Sequence, residues 1–231
     1  MKLEKVTAIG TGAESRAEKR GYDDACGTAL ALEFVGERWS LLVIRELMFG
    51  PRRFGEIKAN LPGISANVLT QRLESLEGAG IVTRRRLPSP ANVQVYDLTD
   101  WGRDAEVAIR EMGRWAAQSP RHNPLLFMST ASAMISLRTL IDWRAAADAT
   151  MTVGFRFPDD AFVAALADGD LRITRGERAD VDVRFTGDTM AMRRTIYGKE
   201  GFDGDGTLAM MGDESAARRF VDLFALPTKV A

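Results

Sequence analysis

The side chains in this sequence that could do chemistry are basic and amide groups, and the chemistry they favour is binding. Three consecutive arginines occupy positions 84–86, and Asn67, Thr70 and Gln71 precede them at a spacing that fits one face of a helix. Arginine neutralises phosphates and releases counterions, whereas asparagine and glutamine pair bidentately with the edge of adenine. These residue types predict contact with a nucleic-acid duplex.

Thiol and imidazole groups are scarce. The chain has one cysteine, Cys26, and one histidine, His122, so an internal disulfide framework and the usual Cys/His metal clusters are excluded. A hydrolytic site of the Ser-His-Asp type could use only His122, which lies in the proline-flanked segment 119–124. We therefore predict no catalytic residue, no metal and no cofactor, and a protein that is not an enzyme.

The net charge of −1 is unevenly distributed along the 231 residues. Residues 52–103 contain eight Lys/Arg against five Asp/Glu, whereas residues 151–215 contain eight against thirteen. A basic half joined to an acidic half indicates that only the first half meets a polyanion, although random surface variation gives the same counts.

No apolar run approaches the length of roughly 18–20 residues that a membrane span needs, and the N-terminus lacks a signal-peptide core. The expectation is a cytoplasmic protein with no membrane partner.

Helical patterns surround the amide-bearing segment. An apolar helix over residues 39–49 stops at Gly50-Pro51, and a short helix over residues 54–61 follows. After a turn at residues 62–63, Ser65 is predicted to cap a helix over residues 66–79. A short helix, a tight turn and a second helix with a polar outer face predict a helix-turn-helix. The inward positions of the second helix are Leu69, Leu73 and Leu76.

A β-hairpin follows directly. Residues 81–87 have the composition of a strand, residues 88–92 of a loop, and residues 93–98 of the returning strand. A hairpin that follows a recognition helix is called a wing. The arginines at 84–86 lie in its first strand, where DNA phosphates would be contacted. The alternative for these arginines is a solvated strand edge that deters aggregation.

Residues 101–118 are predicted to form an amphipathic helix, because apolar side chains recur at helical spacing. This stripe either packs on its own domain or forms a dimer seam. A seam would let two recognition helices enter major grooves one helical turn apart, on a palindromic site.

Four ordered motifs carry a resemblance to a known family: GERWSLLVIREL at 36–47, GPRRFGEI at 50–57, LPGIS at 61–65 and LTQRL at 69–73. Together with CGTAL at 26–30 and the segments at 76–82 and 96–99, they resemble the HxlR family of winged-helix regulators over residues 22–118. The resemblance implies a homodimer that represses or activates nearby genes. It also implies residues 65–76 in the major groove and the wing at the minor groove.

The predicted DNA contacts combine phosphate-binding and base-reading residue types. They are Arg52, Arg53, Ser65, Asn67, Thr70, Gln71, Arg72, Arg84, Arg85 and Arg86. For Arg72, pairing with Glu56 or Glu74 is the alternative.

Cys26 lies where some members of that family carry a redox- or electrophile-sensing thiol. Those members have Cys-Pro, whereas this chain has Cys26-Gly27. A reactive thiol needs a pKa lowered by positive charge or a helix N-terminus, and Cys26 lies near a predicted helix start. A buried, inert cysteine is the alternative.

The second half predicts an α+β domain. A helix over residues 125–141, with Leu126 among its apolar positions, precedes alternating strand patterns from residue 151. Asp168-Gly169 predicts a two-residue hairpin turn. A helix over residues 188–197, a strand near 207–211 and a helix over 214–224 complete the domain.

The aromatic and methionine side chains of this half suit either a hydrophobic pocket or an ordinary core. Short motifs at 168–176 and 211–213 make residues 150–226 similar to a sterol-carrier-protein-type domain, although the three glycines of 201–206 depart from its pattern. The resemblance implies binding of an apolar molecule, or a structural or dimerisation module. The predicted pocket residues are Phe155, Phe157, Phe162, Phe185, Met192, Tyr197 and Met210.

The sequence thus predicts an α+β protein: a flexible arm (1–21), a winged helix-turn-helix domain (22–119), a linking or dimerisation helix (120–149) and a sterol-carrier-like domain (150–231). The predicted function is a homodimeric DNA-binding repressor of a palindromic operator that responds to a hydrophobic small molecule. The alternatives are a redox regulator acting through Cys26 and a lipid carrier without specific DNA binding.

Overall fold

The computed structural model describes residues 21–230, so the predicted flexible arm lies outside the described residues except for Gly21. The first half contains α1 Gly27–Val35, α2 Ser40–Leu47, α3 Phe54–Ala59, α4 Ala66–Gly78, β1 Val82–Arg86, β2 Gln94–Leu98 and α5 Asp100–Ala117. The second half contains α6 Thr130–Leu140, β3 Met151–Arg156, β4 Ala161–Ala167, β5 Asp170–Arg175, β6 Val183–Thr186, α7 Thr189–Ile196, β7 Ala209–Gly212 and α8 Glu214–Asp222. This order confirms the α+β class with an N-terminal winged helix-turn-helix.

The first half is built around α2, as its apolar sequence predicted. Val43, Ile44 and Leu47 are fully buried, and the inner face of α4 packs in the same cluster through Leu69 and Leu73. An apolar helix surrounded by neighbours fixes the positions of the elements around it, which carry the polar side chains.

The second half is a five-stranded sheet in the order β5-β4-β3-β6-β7. The pairs are antiparallel except β3 with β6, which is parallel. The turn between β4 and β5 is the predicted one, because Asp168 and Gly169 both have positive φ, 52° and 71°. Two positive φ values are the signature of a type I′ hairpin.

The aromatic residues predicted as a ligand pocket are instead the core of this half. Phe155, Phe162 and Phe185 are at most 2% exposed, and the ring of Phe155 lies 5.6 Å from Phe185 and 5.9 Å from Phe220. Close ring packing against α8 fills the space that a ligand would need. Of the seven predicted residues, Phe157 and Met192 are also buried, Met210 packs at the edge of the core, and Tyr197 lines a cavity outside it.

The helix predicted over residues 125–141 begins later, at Thr130. Ser129 caps it, since its hydroxyl oxygen accepts a hydrogen bond from the Ser132 amide at 3.1 Å. Leu126 is exposed rather than packed, because Arg193 donates hydrogen bonds to the carbonyl oxygens of Pro124 and Leu126 and holds this stretch as a loop.

The helix α6 belongs to both cores. Ile135 is buried with the residues of the first half, whereas Met134 and Leu137 are buried against the sheet. This helix therefore packs into the interiors of both halves.

Polar contacts beside α6 complete what we call the domain joint: Glu46, Arg52, Ser129, Asp160 and Arg175. Asp160 accepts hydrogen bonds from Arg52 and, at 3.1 Å, from Arg175. Arg175 also donates to the Phe49 carbonyl at 3.1 Å, and the Ser129 hydroxyl donates to Glu46 at 2.7 Å. Buried charges that are paired and hydrogen-bonded in this way fix the relative position of the two halves.

No helix within residues 21–230 combines the length and the apolar character that crossing a bilayer requires.

Candidate nucleic-acid interface

The amide-bearing face lies on α4, which begins and ends at the predicted signals. The Ser65 hydroxyl oxygen accepts a hydrogen bond from the Val68 amide at 3.2 Å, and Gly80, with φ of 73°, reverses the chain after the helix. The side chains of Leu69, Leu73 and Leu76 face the core. The helix is therefore fixed in rotation as well as in position.

Asn67, Thr70 and Gln71 are all exposed on the opposite face of α4. None of the three makes a side-chain hydrogen bond among the contacts observed within residues 21–230. Amide and hydroxyl groups that protein neighbours leave unsatisfied are available to base edges or water.

The wing is the antiparallel ribbon of β1 and β2. Arg84 lies opposite Tyr96 and Arg86 opposite Gln94, so these four side chains share one face of the ribbon. Arg84 and Arg86 are exposed. The contacts that hold them are weak, since Arg84 lies 3.7 Å from Glu77 and Arg86 donates to the Asn92 carbonyl at 3.4 Å.

Arg85 points to the other face of the ribbon and has a structural partner. Its guanidinium donates to Asp97 at 2.9 Å, and Asp97 also accepts from Arg103 at 2.8 Å. Because Asp97 is buried, this bridge ties the wing to the start of α5. Thr99 caps the same helix through the Gly102 amide at 3.0 Å.

Of three further predicted DNA contacts, one is exposed and two are engaged in ion pairs. Arg53 is exposed at the start of α3, as a phosphate contact requires. Arg52 is not, because its guanidinium is bonded to Asp160 in the domain joint. Arg72 is also withdrawn: it pairs with Glu37 at 3.3 Å, rather than with Glu56 or Glu74, and its side chain is 17% exposed.

Cys26 is exposed immediately before α1. The Thr28 backbone amide, then its hydroxyl, then the Ala29 amide lower the pKa of the Cys26 thiol below its ordinary value. Unpaired amides at a helix N-terminus stabilise a thiolate. The predicted burial of this cysteine is wrong, whereas its reactivity stays a prediction.

Several large apolar side chains of α5 are exposed. Trp115 is 74% exposed, Val107 66% and Met112 50%. The inner side of the same helix, including Ile109, packs on the first core. Some apolar residues of this helix therefore pack within the domain, as one alternative predicted, and others form an exposed surface. The dimer seam stays a prediction.

Sequence reasoning missed the residues whose partners lie far along the chain: Glu37, Glu46, Asp160 and Arg193. The available signal was a charged residue within an apolar segment, as Glu46 is in α2. That signal names the residue but not its partner.

Comparisons with known proteins find relatives of the first half of the chain. The sequence profile of the HxlR-like helix-turn-helix family matches residues 34–123. The HTH-type transcriptional regulator YodB of Bacillus subtilis is 41% identical over 88 residues, which cover 38% of this chain and 79% of that protein. An uncharacterised HTH-type regulator of Mycobacterium bovis, Mb3122, is 45% identical over 85 residues, covering 37% of this chain and 53% of that protein.

A solved structure, the reduced form of YodB from B. subtilis, shows 38% identity and a TM-score of 0.38, covering 42% of this chain and 95% of that one.

Proposed function

The chain belongs to the HxlR-like helix-turn-helix family of transcriptional regulators, and on that premise we propose that it reads a palindromic operator as a homodimer and acts as a repressor. As a member of that family it is a DNA-binding regulator and not an enzyme. The observation that carries the proposal is the outer face of α4, where Asn67, Thr70 and Gln71 are exposed on a helix held rigidly from behind. Rigid support is what base readout needs, since the donors and acceptors must meet fixed positions in the major groove.

The wing supplies the sequence-independent part of the affinity. Arg84 and Arg86 share one exposed face, and Arg53 is exposed at the start of α3. Each phosphate that they neutralise adds to the salt dependence of binding. Arg85 and Arg52 are left out of this set, because their guanidiniums hold Asp97 and Asp160.

The apolar stripe of α5 supports dimerisation. Exposed Met112 and Trp115 form an apolar stripe one turn long on α5, and exposed Val107 lies beside it, nearer the start of the helix. An exposed apolar patch commonly marks a protein–protein interface. A two-fold axis through this stripe would present two copies of α4 to successive major grooves.

Substitution of Val107 by glutamate tests the dimer and the operator together. We expect the wild-type chain to bind a labelled duplex from the DNA flanking its own gene with two chains per duplex, ahead of scrambled competitor. Val107→Glu places a charge in the seam, so we expect a monomer by sedimentation velocity and a duplex affinity at least about tenfold weaker.

The matched control is Met211→Glu, which puts the same charge at an exposed apolar position, 62% accessible, on β7. It should leave both readouts unchanged. A wild-type chain that binds duplexes without sequence preference, or a Val107→Glu variant that is still dimeric, would contradict the proposal.

The effector response is proposed to pass through the shared helix α6 and the domain joint. A molecule that binds one arrangement of the two halves more tightly shifts the population of the DNA-competent form. The likeness of residues 150–226 to a sterol-carrier domain stays a prediction. Its aromatic residues form a packed core, so the effector site is sought elsewhere.

A second candidate function is thiol sensing at Cys26, favoured by its exposure and by the lowered pKa of its thiol. A lower pKa raises the thiolate fraction at neutral pH. We therefore expect the alkylation rate by iodoacetamide to reach its half-maximum at a lower pH in the native chain than in the same chain unfolded in urea.

Alkylation should then change the affinity for the operator duplex, and Cys26→Ser should be insensitive to the reagent. Identical midpoints in native and unfolded chains, or an alkylated protein with unaltered duplex affinity, would reject thiol sensing.

A further inference from the structure

An apolar cavity of about 360 Å³ lies where the two halves meet, between α2, α5, α6 and α7. Its walls include Leu41 of α2, Met112 of α5, and Ile135 and Leu140 of α6. This volume lies in the range of small-molecule sites, which combine apolar walls with a few fixed polar groups. We call it the junction cavity.

Arg193 of α7 provides a fixed positive charge in the wall of the junction cavity. It is 7% exposed. Its Nε donates to the Thr189 carbonyl at 3.1 Å, and its Nη1 donates to the carbonyls of Leu126, at 2.6 Å, and Pro124. Burial lowers the pKa of Arg193 below its ordinary value, and the charge of Asp188 opposes this effect.

Within residues 21–230 no carboxylate forms an ion pair with Arg193. The hydrogen bonds observed for it use Nε and Nη1, and Nη2 is not among the buried atoms that lack a partner. The Nη2 group therefore makes no hydrogen bond to the described residues and keeps a small exposed area. A guanidinium held by three carbonyls with an open Nη2 is preorganised to bind an anion.

Two other titratable groups in the cavity wall, Arg45 and His122, have protein partners. Arg45 is paired with Glu46 at 2.8 Å. His122 accepts a hydrogen bond from Lys229, with 3.2 Å between Nζ and Nδ1, and burial followed by the charge of Lys229 lowers its pKa, which favours the neutral ring.

Tyr197 and Ser136 form a neutral polar pair in the wall. Their oxygens are 2.7 Å apart, and the Ser136 hydroxyl donates to the Ala133 carbonyl at 2.7 Å. The Tyr197 hydroxyl therefore donates to Ser136 and keeps a lone pair for a donor on a ligand. Burial raises the pKa of Tyr197 above its ordinary value, so the phenol stays neutral.

We propose that the junction cavity binds a small organic anion with an apolar ring body, its carboxylate or sulfonate on Arg193 and its body between α5 and α6. Charge complementarity with Arg193 selects this occupant over a neutral lipid. The regulatory consequence of binding rests on the proposed function, whereas binding itself does not.

Two dyes that differ by one group provide the test. The probes are 8-anilinonaphthalene-1-sulfonate, which carries an anion, and N-phenyl-1-naphthylamine, which has the same ring body without the sulfonate. Both are titrated into the full chain by fluorescence. We expect the anionic dye to bind about tenfold tighter or more, as charge-assisted hydrogen bonds are stronger than neutral ones.

Arg193→Gln should remove most of that preference while the neutral dye binds as before, and the retained binding of the neutral dye reports that the cavity is intact.

Gly113→Leu supplies an independent variant. A Cβ at Gly113 would lie 3.9 Å from Thr139 Cγ2 on the cavity wall, so a leucine there fills the space and should weaken both dyes at least about tenfold. Gly78→Leu, a helical glycine with nothing within 4 Å of its Cβ position, is the control and should change neither.

Equal affinity for the two dyes, or a preference that Arg193→Gln leaves intact, would overturn the proposal. So would dye release as the protein is concentrated, since that result would assign the cavity to a second copy of this chain. Operator binding is measured separately without dye. If the protein binds its operator but shows no preference for the anionic dye, the anion site is contradicted and the proposed function is not. If it shows the preference but does not bind the operator, the proposed function is contradicted and the anion site is not.

Discussion

Replacing Asp160 by asparagine is expected to lower the free energy of unfolding by about 3 kcal/mol. The Asp160 side chain is 6% exposed and lies between the guanidiniums of Arg52 and Arg175, which are 12% and 20% exposed. Removing the negative charge leaves two largely buried positive charges that repel each other, with Glu46 as the remaining carboxylate that acts on Arg175. Breaking a buried ion pair from one side costs far more than its net contribution, because the remaining partner stays desolvated.

Asp159→Asn is the matched control, since Asp159 is the exposed neighbour in the same loop. Urea unfolding of both variants, followed by circular dichroism and tryptophan fluorescence, gives the comparison. If Asp160→Asn and Asp159→Asn unfold at the same urea concentration, the domain joint is not held by this carboxylate.

The second large effect is expected at the DNA surface. Replacing Asn67 and Gln71 by alanine should remove about 1–3 kcal/mol of operator binding for each residue that reads a base. Binding to scrambled duplexes and the salt dependence should stay the same, because neither side chain carries charge. The fold should be retained, since both side chains are exposed.

The double variant Arg84→Ala/Arg86→Ala in the wing is expected to change the salt-dependent affinity instead of the sequence preference. Losing two phosphate contacts should weaken operator and scrambled duplexes alike and reduce the slope of log K against log salt by about 1.8. Arg85 is left in place because it holds the buried Asp97. Titrations of both variants at several salt concentrations separate the two roles. A loss of operator preference in the wing variant, or a reduced salt slope in the α4 variant, would reverse the assignment of reading and positioning.

The local elements were predictable because their signals are local. Ser65 caps α4 and Gly80 ends it, since a hydroxyl acceptor and a residue tolerant of positive φ are needed within one turn of the helix. The turn at Asp168-Gly169 follows from the same kind of constraint. The inward face of α4 follows from helical periodicity, as buried Leu69 shows.

The roles of individual charged and aromatic residues were not predictable in the same way. The local sequence around Arg52 is compatible with a DNA contact. Its actual partner, Asp160, lies 108 residues away and could not be predicted from that local sequence. Phe155 and Phe185 belong to a composition that suits a pocket as well as a core, and only the position of α8 decides between them. The junction cavity depends on the packing of four helices, so Arg193 carries no sequence signal of its own.

The residues that meet in the domain joint lie far apart in the sequence, and this separation has a consequence for the order in which the protein folds. Its hydrogen bonds connect residues 83 positions apart for Glu46 and Ser129, 108 for Arg52 and Asp160, and 126 for Phe49 and Arg175. Closing loops of that length costs entropy that must be met before any contact is gained, whereas helix and hairpin contacts close short loops. The winged helix and the sheet are therefore expected to form as separate kinetic units, with their docking as the last and slowest step.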